Sequence, residues 1–345
     1  MREQAPAANQ LLLLDFSLDD HGHRGQYNAM IAALFNTRRI RFGWESLLAR
    51  QPVLVPGIEA SPPRYLLLCL VRAVLGRRTV AFLLRPLPVV QAQSVRLRLK
   101  GAALRLLKRL PGNTVLTIIP FAVEPGFAQI ADDWIHDLQN WDQQLLPPAA
   151  PVAIMGLAGE IIAAAAGRNV CCAIGRQDEG KGFNQFVEHY CSDAALRQHL
   201  LFAYGGSVSP ALKPAAAQFA EAGGFGRDRF ISDDELLELY RAADLIWCVY
   251  GPDYDQASGV LGRAMQLGIP IIARCGSVIE RICQLESHPY LSFNPALERD
   301  DLRQLPPRLD TDEAQARSRR HGQLSLTKLS RALGILPLHD PFAAQ

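Results

Sequence analysis

The stretch of residues 230–273 constrains the fold of this chain more than any other part of its sequence. Ser232 is followed three residues later by Glu235, which is the spacing of a capping box at the start of a helix. An apolar run at residues 245–250 is typical of a buried strand, and a polar Gly/Ser loop, a second helical pattern and a second apolar run follow it. Helices that alternate with buried strands in this way predict a parallel sheet covered on both faces.

The same alternation extends along the rest of the chain and predicts two domains. Its 345 residues are enough for two domains of ~100–200 residues each, and the Pro-rich residues 145–151 are typical of a linker. We therefore predict an α/β protein with two doubly wound, Rossmann-like domains whose parallel sheets face a cleft. The predicted parts are an N-terminal domain at residues 1–150, a C-terminal domain at residues 151–310 and a C-terminal helix at residues 311–345. Further predicted elements are a helix at residues 132–144 and a strand at residues 152–155.

Residues 60–123 carry a strong positive charge, since they contain eleven Lys and Arg residues but no Asp or Glu. One interpretation is a set of solvated helix faces balanced by acidic residues elsewhere in the fold. The other is a surface for an anionic membrane or for a phosphorylated acceptor. Nucleic acid is not expected as a partner, because no aromatic residues are interleaved with the charges.

The cysteines and the apolar runs predict the compartment of the protein. The seven cysteines are odd in number, lie mostly in apolar runs and include no CxxC pair, so we expect small buried side chains in a reducing environment and no zinc site. The N-terminal residues show no signal-peptide pattern, and no apolar run reaches the ~20 residues that span a bilayer. These features predict a cytoplasmic protein and leave open a peripheral position at the inner membrane face.

Two polar loops in the C-terminal half follow predicted strands and lead into helices, and the pattern of the second predicts a phosphate-binding loop. One loop contains Gly175, Arg176 and Lys181, and the other is the segment Gln256-Ala257-Ser258-Gly259, which leads into a helix. Backbone N–H groups at the start of a helix that follows a parallel strand attract anions, and nearby cations add to this attraction. The alternatives are a plain tight turn for the second loop and solvated basic side chains on the first.

Residues 175–279 resemble the nucleotide-sugar-binding half of the family-4-type glycosyltransferases, which have the GT-B fold. Residues 263–270 match the end of the motif that contains two glutamates eight residues apart in the family. Asp255 then stands at the position of the first glutamate and Arg263 at that of the second. Gly175-Arg176 and Lys181-Gly182 match the Gly-Arg and Lys-Gly pairs of many family members.

The resemblance implies roles for these residues in binding a nucleotide-diphosphate sugar. Arg176 and Lys181 would neutralise the diphosphate and Asp255 would hold the sugar, and we take these three as the candidate catalytic residues. The resemblance implies no cofactor and no metal, with retention of anomeric configuration. It also implies that the last helix packs back on the N-terminal domain. The remaining predicted donor-binding residues are Gly175, Gln256, Ala257, Ser258, Gly259 and Arg263.

The acceptor side is predicted in the loop after the first strand. Family members often have a Gly-rich loop and a histidine here, and this chain has His21, Gly22 and His23. A histidine in this loop would orient an acceptor hydroxyl or act as a base. The alternative for each histidine is a role in fastening the loop.

We therefore predict a glycosyltransferase of the hexosyltransferase type, which moves a sugar from a nucleotide sugar to a glycan or lipid-linked acceptor in bacterial polysaccharide or glycolipid assembly. Arg263 departs from the family pattern, in which the second glutamate accepts hydrogen bonds from the nucleotide ribose. An arginine has no acceptor for ribose hydroxyls. The alternative is therefore a non-catalytic GT-B protein that binds a nucleotide sugar or a partner enzyme. A nucleotide-sugar epimerase is disfavoured, because it needs paired carboxylates and the N-terminal half is poor in acids.

Overall fold

A sheet of six parallel strands forms the centre of the first of two structural units in the computed structural model, which describes residues 10–16, 23–145, 156–294, 302, 304–339 and 341–342. Unit 1 comprises residues 1–147 and 318–345, and unit 2 comprises residues 148–317. The strands of unit 1 lie in the order β2-β1-β3-β4-β5-β6, so the chain changes its direction of winding between β1 and β3. These strands are β1 (Leu11–Leu14), β2 (Thr37–Ile40), β3 (Val53–Val55), β4 (Thr79–Leu83), β5 (Asn113–Thr117) and β6 (Asp133–Trp134).

Helices cover this sheet, and three of them form one continuous layer. Helix α2 packs on α3, and α3 packs on α5. Their inward side chains, such as Leu47, Leu68 and Leu104, bury one face of the sheet together with Val53 and Leu83. The helices that precede β5 are α1 (His23–Leu34), α2 (Trp44–Leu48), α3 (Pro62–Val74), α4 (Leu87–Gln91) and α5 (Val95–Leu107).

Arg72 belongs to this core rather than to the charged surface predicted from residues 60–123. Its side chain is completely buried because it occupies the same face of α3 as Tyr65, Leu68 and Cys69. The guanidinium donates to the Thr79 hydroxyl at 3.0 Å. It also donates to four backbone carbonyls at 2.8–3.1 Å, those of Ser46, Ala49, Gln51 and Arg78. Arg72 thus connects α2 to the starts of β3 and β4.

The predicted helix at residues 132–144 is wrong. This segment contains β6 followed by two short 3₁₀ helices, Leu138–Asn140 and Asp142–Leu145. The carboxylate of Asp137 accepts a hydrogen bond from the N–H of Gln139 at 3.1 Å and starts the first 3₁₀ turn. The buried residues Ile135, Leu138 and Trp141 are three apart, which is the repeat of a 3₁₀ helix.

Unit 2 contains a second sheet of six parallel strands in the order β12-β11-β10-β7-β8-β9. Numbered within the unit, this is the Rossmann order 3-2-1-4-5-6 read from its other edge. The aromatic side chains of Phe183, Phe186, Phe202 and Trp247 fill its core. The strands are β7 (Asn169–Ile174), β8 (Leu200–Gly205), β9 (Phe225–Arg227), β10 (Leu245–Cys248), β11 (Ile271–Arg274) and β12 (Tyr290–Phe293). The strand predicted at residues 152–155 lies outside the described residues.

Four helices of unit 2 begin at a side-chain cap, which is Asp193 for α8, Ser232 for α10, Ser258 for α11 and Ser277 for α12. At the start of α10, the Glu235 N–H donates to the Ser232 hydroxyl at 3.3 Å and the Ser232 N–H donates to the Glu235 carboxylate at 3.0 Å. The predicted capping box is therefore confirmed. The helices are α6 (Gly156–Ala165), α7 (Phe183–Ser192), α8 (Ala194–His199), α9 (Lys213–Glu221), α10 (Asp233–Ala242), α11 (Gly259–Gln266) and α12 (Val278–Leu285).

The last helix, α13 (Thr311–Leu333), begins in unit 2 and continues into unit 1. In unit 1, the His321 ring stacks on His136 with centroids 3.7 Å apart. The Lys328 ammonium pairs with Asp133 at 2.8 Å and lies 3.4 Å from the centroid of the Trp134 ring. Among the described residues, neither α13 nor any other helix has the length and apolar character needed to cross a bilayer.

Candidate functional site

The carboxyl ends of β7 and β10 are where a ligand site is expected in unit 2. The two strands are neighbours, and the sheet is built outward from them in opposite directions. Ligands of such sheets bind in the crevice outside this switch point. Residues 175–182 leave β7 here, and residues 249–258 leave β10. Every predicted donor-site residue except Arg263 lies on these loops or at the first residue of α11.

The two loops are fixed to each other through their backbones. Gly182 has a φ of +72°, and a Cβ at this position would lie 1.9 Å from the carbonyl oxygen of Val249. The Gly251 N–H donates to the Gly180 carbonyl at 2.8 Å. Glycine is therefore required at residue 182, both by the left-handed backbone and by the neighbouring loop.

Lys181 places a partly buried ammonium between the loops. Its Nζ donates one hydrogen bond among the described residues, a long one of 3.4 Å to the Ile174 carbonyl. The same atom lies 6.0 Å from the centroid of the Tyr250 ring. Burial lowers the pKa of Lys181, and the nearby Asp178 carboxylate partly opposes this shift. The cation is thus partly desolvated and has few hydrogen-bond acceptors. This arrangement is typical of a lysine that binds an anion.

Tyr250 links this cation to the start of α11. The Tyr250 hydroxyl and the Ser258 hydroxyl are 2.9 Å apart and hydrogen bonded. Ser258 is the N-cap of α11, and its hydroxyl accepts from the Val260 N–H at 3.2 Å. The described residues provide no acceptor for the N–H groups of Gly259 and Leu261. Unpaired amides at a helix start and an adjacent ammonium together form a site suited to phosphate.

Arg176 lies outside the cluster formed by Lys181, Tyr250 and Ser258. Its side chain is 70% exposed and lies 3.7 Å from the Asp178 carboxylate. Gly175, which precedes it, has a φ of +83°, and the chain then continues beside the segment after β8 through a bridge between Gln177 and Val208. The structure therefore brings Lys181 and Ser258 together through Tyr250, while Arg176 lies at the rim of the loop.

Asp255 is engaged within unit 2. Its carboxylate accepts a hydrogen bond from the Arg274 guanidinium at 2.8 Å and another from the N–H of Val278, the first residue of α12, at 2.8 Å. Arg274 also donates to the carbonyl of Tyr250 at 2.8 Å. Asp255 thus holds the loops after β10 and β11 together at the carboxyl ends of these strands.

The other predicted donor-site residues differ in position. Gln256 and Ala257 lie on the loop before α11 and are partly exposed. Arg263 lies on α11 itself, one turn beyond Gly259, and is also partly exposed.

The predicted acceptor side lies mainly outside the described part of unit 1. His21 and Gly22 are outside the described residues, and His23 is described only as the first backbone position of α1. At the carboxyl end of β1, the Asn28 amide donates a 3.2 Å hydrogen bond to the Asp15 carboxylate. This end of β1 is beside the switch point of the first sheet.

Sequence reasoning missed two residues that organise the site. Tyr250 is the last residue of an apolar run, so the sequence predicts it as part of a buried strand. Its position directly before a polar loop could have indicated that its hydroxyl faces the site. Arg274 had no signal, because its partners Asp255 and Tyr250 are 19 and 24 residues away in the chain.

Comparison with solved structures establishes the fold. HepE from Anabaena, solved in complex with UDP, superposes with a TM-score of 0.65 over 94% of this chain and 99% of that chain, at 11% identity. An α,α-trehalose-phosphate synthase (UDP-forming) from Burkholderia vietnamiensis gives a TM-score of 0.56 over 94% of this chain and 97% of that chain, at 9% identity. No protein-family model and no curated protein matches the chain.

This likeness confirms the predicted fold class. The chain has the α/β architecture of the GT-B fold, with two doubly wound parallel sheets. At such low identity, the likeness concerns the fold and leaves the activity to be argued from the site.

Proposed function

We propose that this protein is a glycosyltransferase that moves a sugar from a nucleotide-diphosphate sugar to a glycan or lipid-linked acceptor. The observation that carries the proposal is the cluster at the switch point of unit 2. There the Lys181 ammonium lies 6.0 Å from the centroid of the Tyr250 ring, and the Tyr250 hydroxyl is hydrogen bonded to Ser258 at the start of α11. A nucleoside diphosphate is the dianionic group that such a combination of cation and helix amides favours. UDP is the ligand in the HepE structure of the same fold.

In this proposal Lys181 and the amides of Gly259 and Leu261 bind the diphosphate. As the sugar leaves, negative charge grows on the diphosphate, and groups already placed around it stabilise that charge. Arg176 contributes as a second cation, because its exposed pair with Asp178 at 3.7 Å is of the kind that contributes little free energy and is readily exchanged for a phosphate.

Asp255 remains the proposed sugar-holding acid. Each of its carboxylate oxygens already accepts one hydrogen bond but has a second lone pair for a sugar hydroxyl. The bonds to Arg274 and Val278 fix its orientation, which lowers the entropic cost of binding the sugar.

We further propose that transfer needs no metal and no cofactor and retains the anomeric configuration. The acceptor would bind to unit 1 at His21, Gly22 and His23. The product would belong to bacterial polysaccharide or glycolipid assembly, with the enzyme in the cytoplasm and its basic segment at residues 60–123 against the inner membrane face.

A binding experiment tests the donor site directly. Calorimetric titration with UDP, GDP and ADP sugars should find one that binds, and saturation at 100 Kd should raise the unfolding free energy by ~2.7 kcal/mol. Replacement of Lys181 by Met should weaken binding. The matched control is Lys213→Met, because Lys213 is an exposed cation of unit 2 whose partner is Asp228. If none of the nucleotide sugars binds, the proposal is wrong.

Arg263 supports a second candidate, a non-catalytic GT-B protein that binds a nucleotide sugar or a partner enzyme. An arginine at this position of α11 has no acceptor for ribose hydroxyls. Incubation of the purified protein with the donor that binds, followed by detection of free nucleotide, separates the two candidates. Donor binding without hydrolysis or transfer, together with activity gained in Arg263→Glu, would favour the non-catalytic protein.

A further inference from the structure

The outer face of the layer formed by α2, α3 and α5 exposes large apolar side chains to solvent. On α2, Trp44 is 78% exposed and Leu48 lies one turn further on the same side. This layer buries its other face against the sheet, so the exposed side chains are additional to those that the core requires. We call this outer surface the α2–α3–α5 face.

On α3 and α5 the exposed apolar residues follow helical spacing and therefore form stripes. On α5, Val95, Leu99 and Leu106 are exposed at positions i, i+4 and i+11, which fall on one side of a helix. On α3, Leu70 and Val74 are exposed four residues apart, and Val74 is 88% exposed. Scattered single hydrophobic residues need no explanation, but aligned stripes on adjacent helices mark an interaction surface.

Arginines flank these stripes. Arg98 and Arg105 are exposed beside the apolar stripe of α5, and Arg64 is exposed near the start of α3. The one acidic residue in these three helices is Glu45 of α2, and it is paired with Arg38. The surface therefore combines apolar side chains with an almost uncompensated positive charge.

This combination selects the partner. In a symmetric dimer through this face, the same basic patch of the two copies would face itself, and like charges in an interface are repulsive. An anionic bilayer satisfies both properties, because phosphate headgroups pair with arginine while the acyl region accepts the leucines. Tryptophan is also the side chain that prefers the boundary between headgroups and acyl chains.

We propose that the α2–α3–α5 face inserts Trp44, Val74, Leu99 and their apolar neighbours into the interfacial region of an anionic membrane. This inference deepens the membrane contact in the proposed function and rests on it only for the identity of the acceptor. It replaces a purely electrostatic contact with a partly inserted one, and it places α2, which lies outside the basic segment, in the contact.

The test uses the full chain and vesicles of phosphatidylglycerol and phosphatidylcholine in equal parts, with phosphatidylcholine vesicles alone for comparison. The triple variant Trp44→Ser, Val74→Ser, Leu99→Ser should lower the partition constant about a thousandfold, since each of the three inserted apolar side chains contributes roughly tenfold. The controls are Leu336→Ser in unit 1 and Phe230→Ser in unit 2, which are 83% and 82% exposed outside this face. Both controls should bind like the wild type.

Insertion and charge attraction are separated by two further measurements. Trp44 should emit at shorter wavelength on the mixed vesicles and be quenched by lipids with brominated acyl chains, and both signals should disappear in Trp44→Phe. The double variant Arg98→Gln, Arg105→Gln should weaken binding and reduce its salt dependence. Binding with an unquenched Trp44, or binding that survives the triple variant, would overturn the proposal.

Two outcomes identify other partners or separate this inference from the donor site. Concentration-dependent self-association that is lost in the triple variant, without vesicle binding by the wild type, would assign the face to a second copy and overturn the proposal. Nucleotide-sugar binding should be unchanged in the triple variant, because the donor site lies in unit 2. Vesicle binding without any nucleotide-sugar binding would therefore refute the proposed function and leave this inference standing.

Discussion

Replacing Lys181 by Met should have opposite effects on folding and on nucleotide binding. In the unliganded protein the ammonium is partly buried and donates a single 3.4 Å hydrogen bond, and burial lowers its pKa. Removal of this charge takes away a desolvation penalty and little bonding, so the unfolding free energy should stay unchanged or rise by about 1 kcal/mol. In the complex with the proposed nucleotide-sugar donor, a hydrogen bond between charged groups contributes ~1.5–3 kcal/mol, so the Kd for that donor should rise about 10–150-fold.

Calorimetric titration with the nucleotide sugar that the wild type binds, and urea denaturation, measure the two effects on the same samples. The control Lys213→Met removes an exposed cation paired with Asp228 at 3.2 Å, and it should change both quantities little. Affinity in the wild type should also fall as the pH rises through the lowered pKa of Lys181, because the amine then loses the proton that the phosphate needs. A variant that loses more than ~1 kcal/mol of stability but binds the nucleotide sugar normally would show that the amine is a structural group.

Three further perturbations test the fold around the site. Arg72→Met should lower the unfolding free energy of unit 1 by about 4 kcal/mol, because it leaves several buried carbonyls unpaired; urea denaturation measures this, and Arg98→Met, an exposed change, should cost less than ~0.5 kcal/mol. Gly182→Ala should lower the unfolding free energy by at least about 2 kcal/mol and weaken nucleotide-sugar binding, since its Cβ would collide with the Val249 carbonyl, and a normal melting temperature would contradict this. Burial lowers the pKa of His288 from 6.5 to about 4. The stability that the neutral imidazole contributes is therefore fully present above pH 6.5, and the unfolding free energy should fall by about 3 kcal/mol as the pH drops towards 4. The urea denaturation midpoint should fall with pH over this range in the wild type, and His288→Gln should remove that pH dependence.

Elements with a single strong pattern were predictable from the sequence. The strands β4, β7 and β8 coincide with apolar runs whose backbones are buried on both faces. The short strand β2 (Thr37–Ile40) was missed because it lies at the sheet edge and carries Arg38 and Arg39 outward. Edge strands need only one partner, so they lack the apolar signal of central ones.

Residues 132–144 show where local competition defeats a periodic pattern. The pattern contains apolar residues at helical spacing, but Asp132 uses its carboxylate to accept from the Val115 N–H at 2.7 Å. This bond holds the segment beside β5 as a strand. Asp137 then accepts from the Gln139 N–H and begins a 3₁₀ turn. Side-chain bonds to distant or adjacent amides are invisible in a count of hydrophobic periodicity.

In the candidate site, the positions of the loops were predictable but their internal bonds were not. Lys181 and Ser258 were identified from residue type and spacing, and the structure joins them through Tyr250. The engagement of Asp255 by Arg274 depends on two adjacent strands ending at the same level of the sheet. Such contacts between segments far apart in the chain become readable only when the strand order is known.

The division of α13 between the two units has a consequence for biosynthesis. Unit 2 is one continuous stretch, so it can complete its core as soon as residue 317 has left the ribosome. Unit 1 is complete only when residues 318–345 have been made. They include His321, whose ring stacks on His136, and Lys328, whose ammonium lies over the Trp134 ring. The half of the protein made first would therefore be the last to fold, and a released chain truncated after residue 317 should show a protease-resistant second unit attached to a sensitive first one.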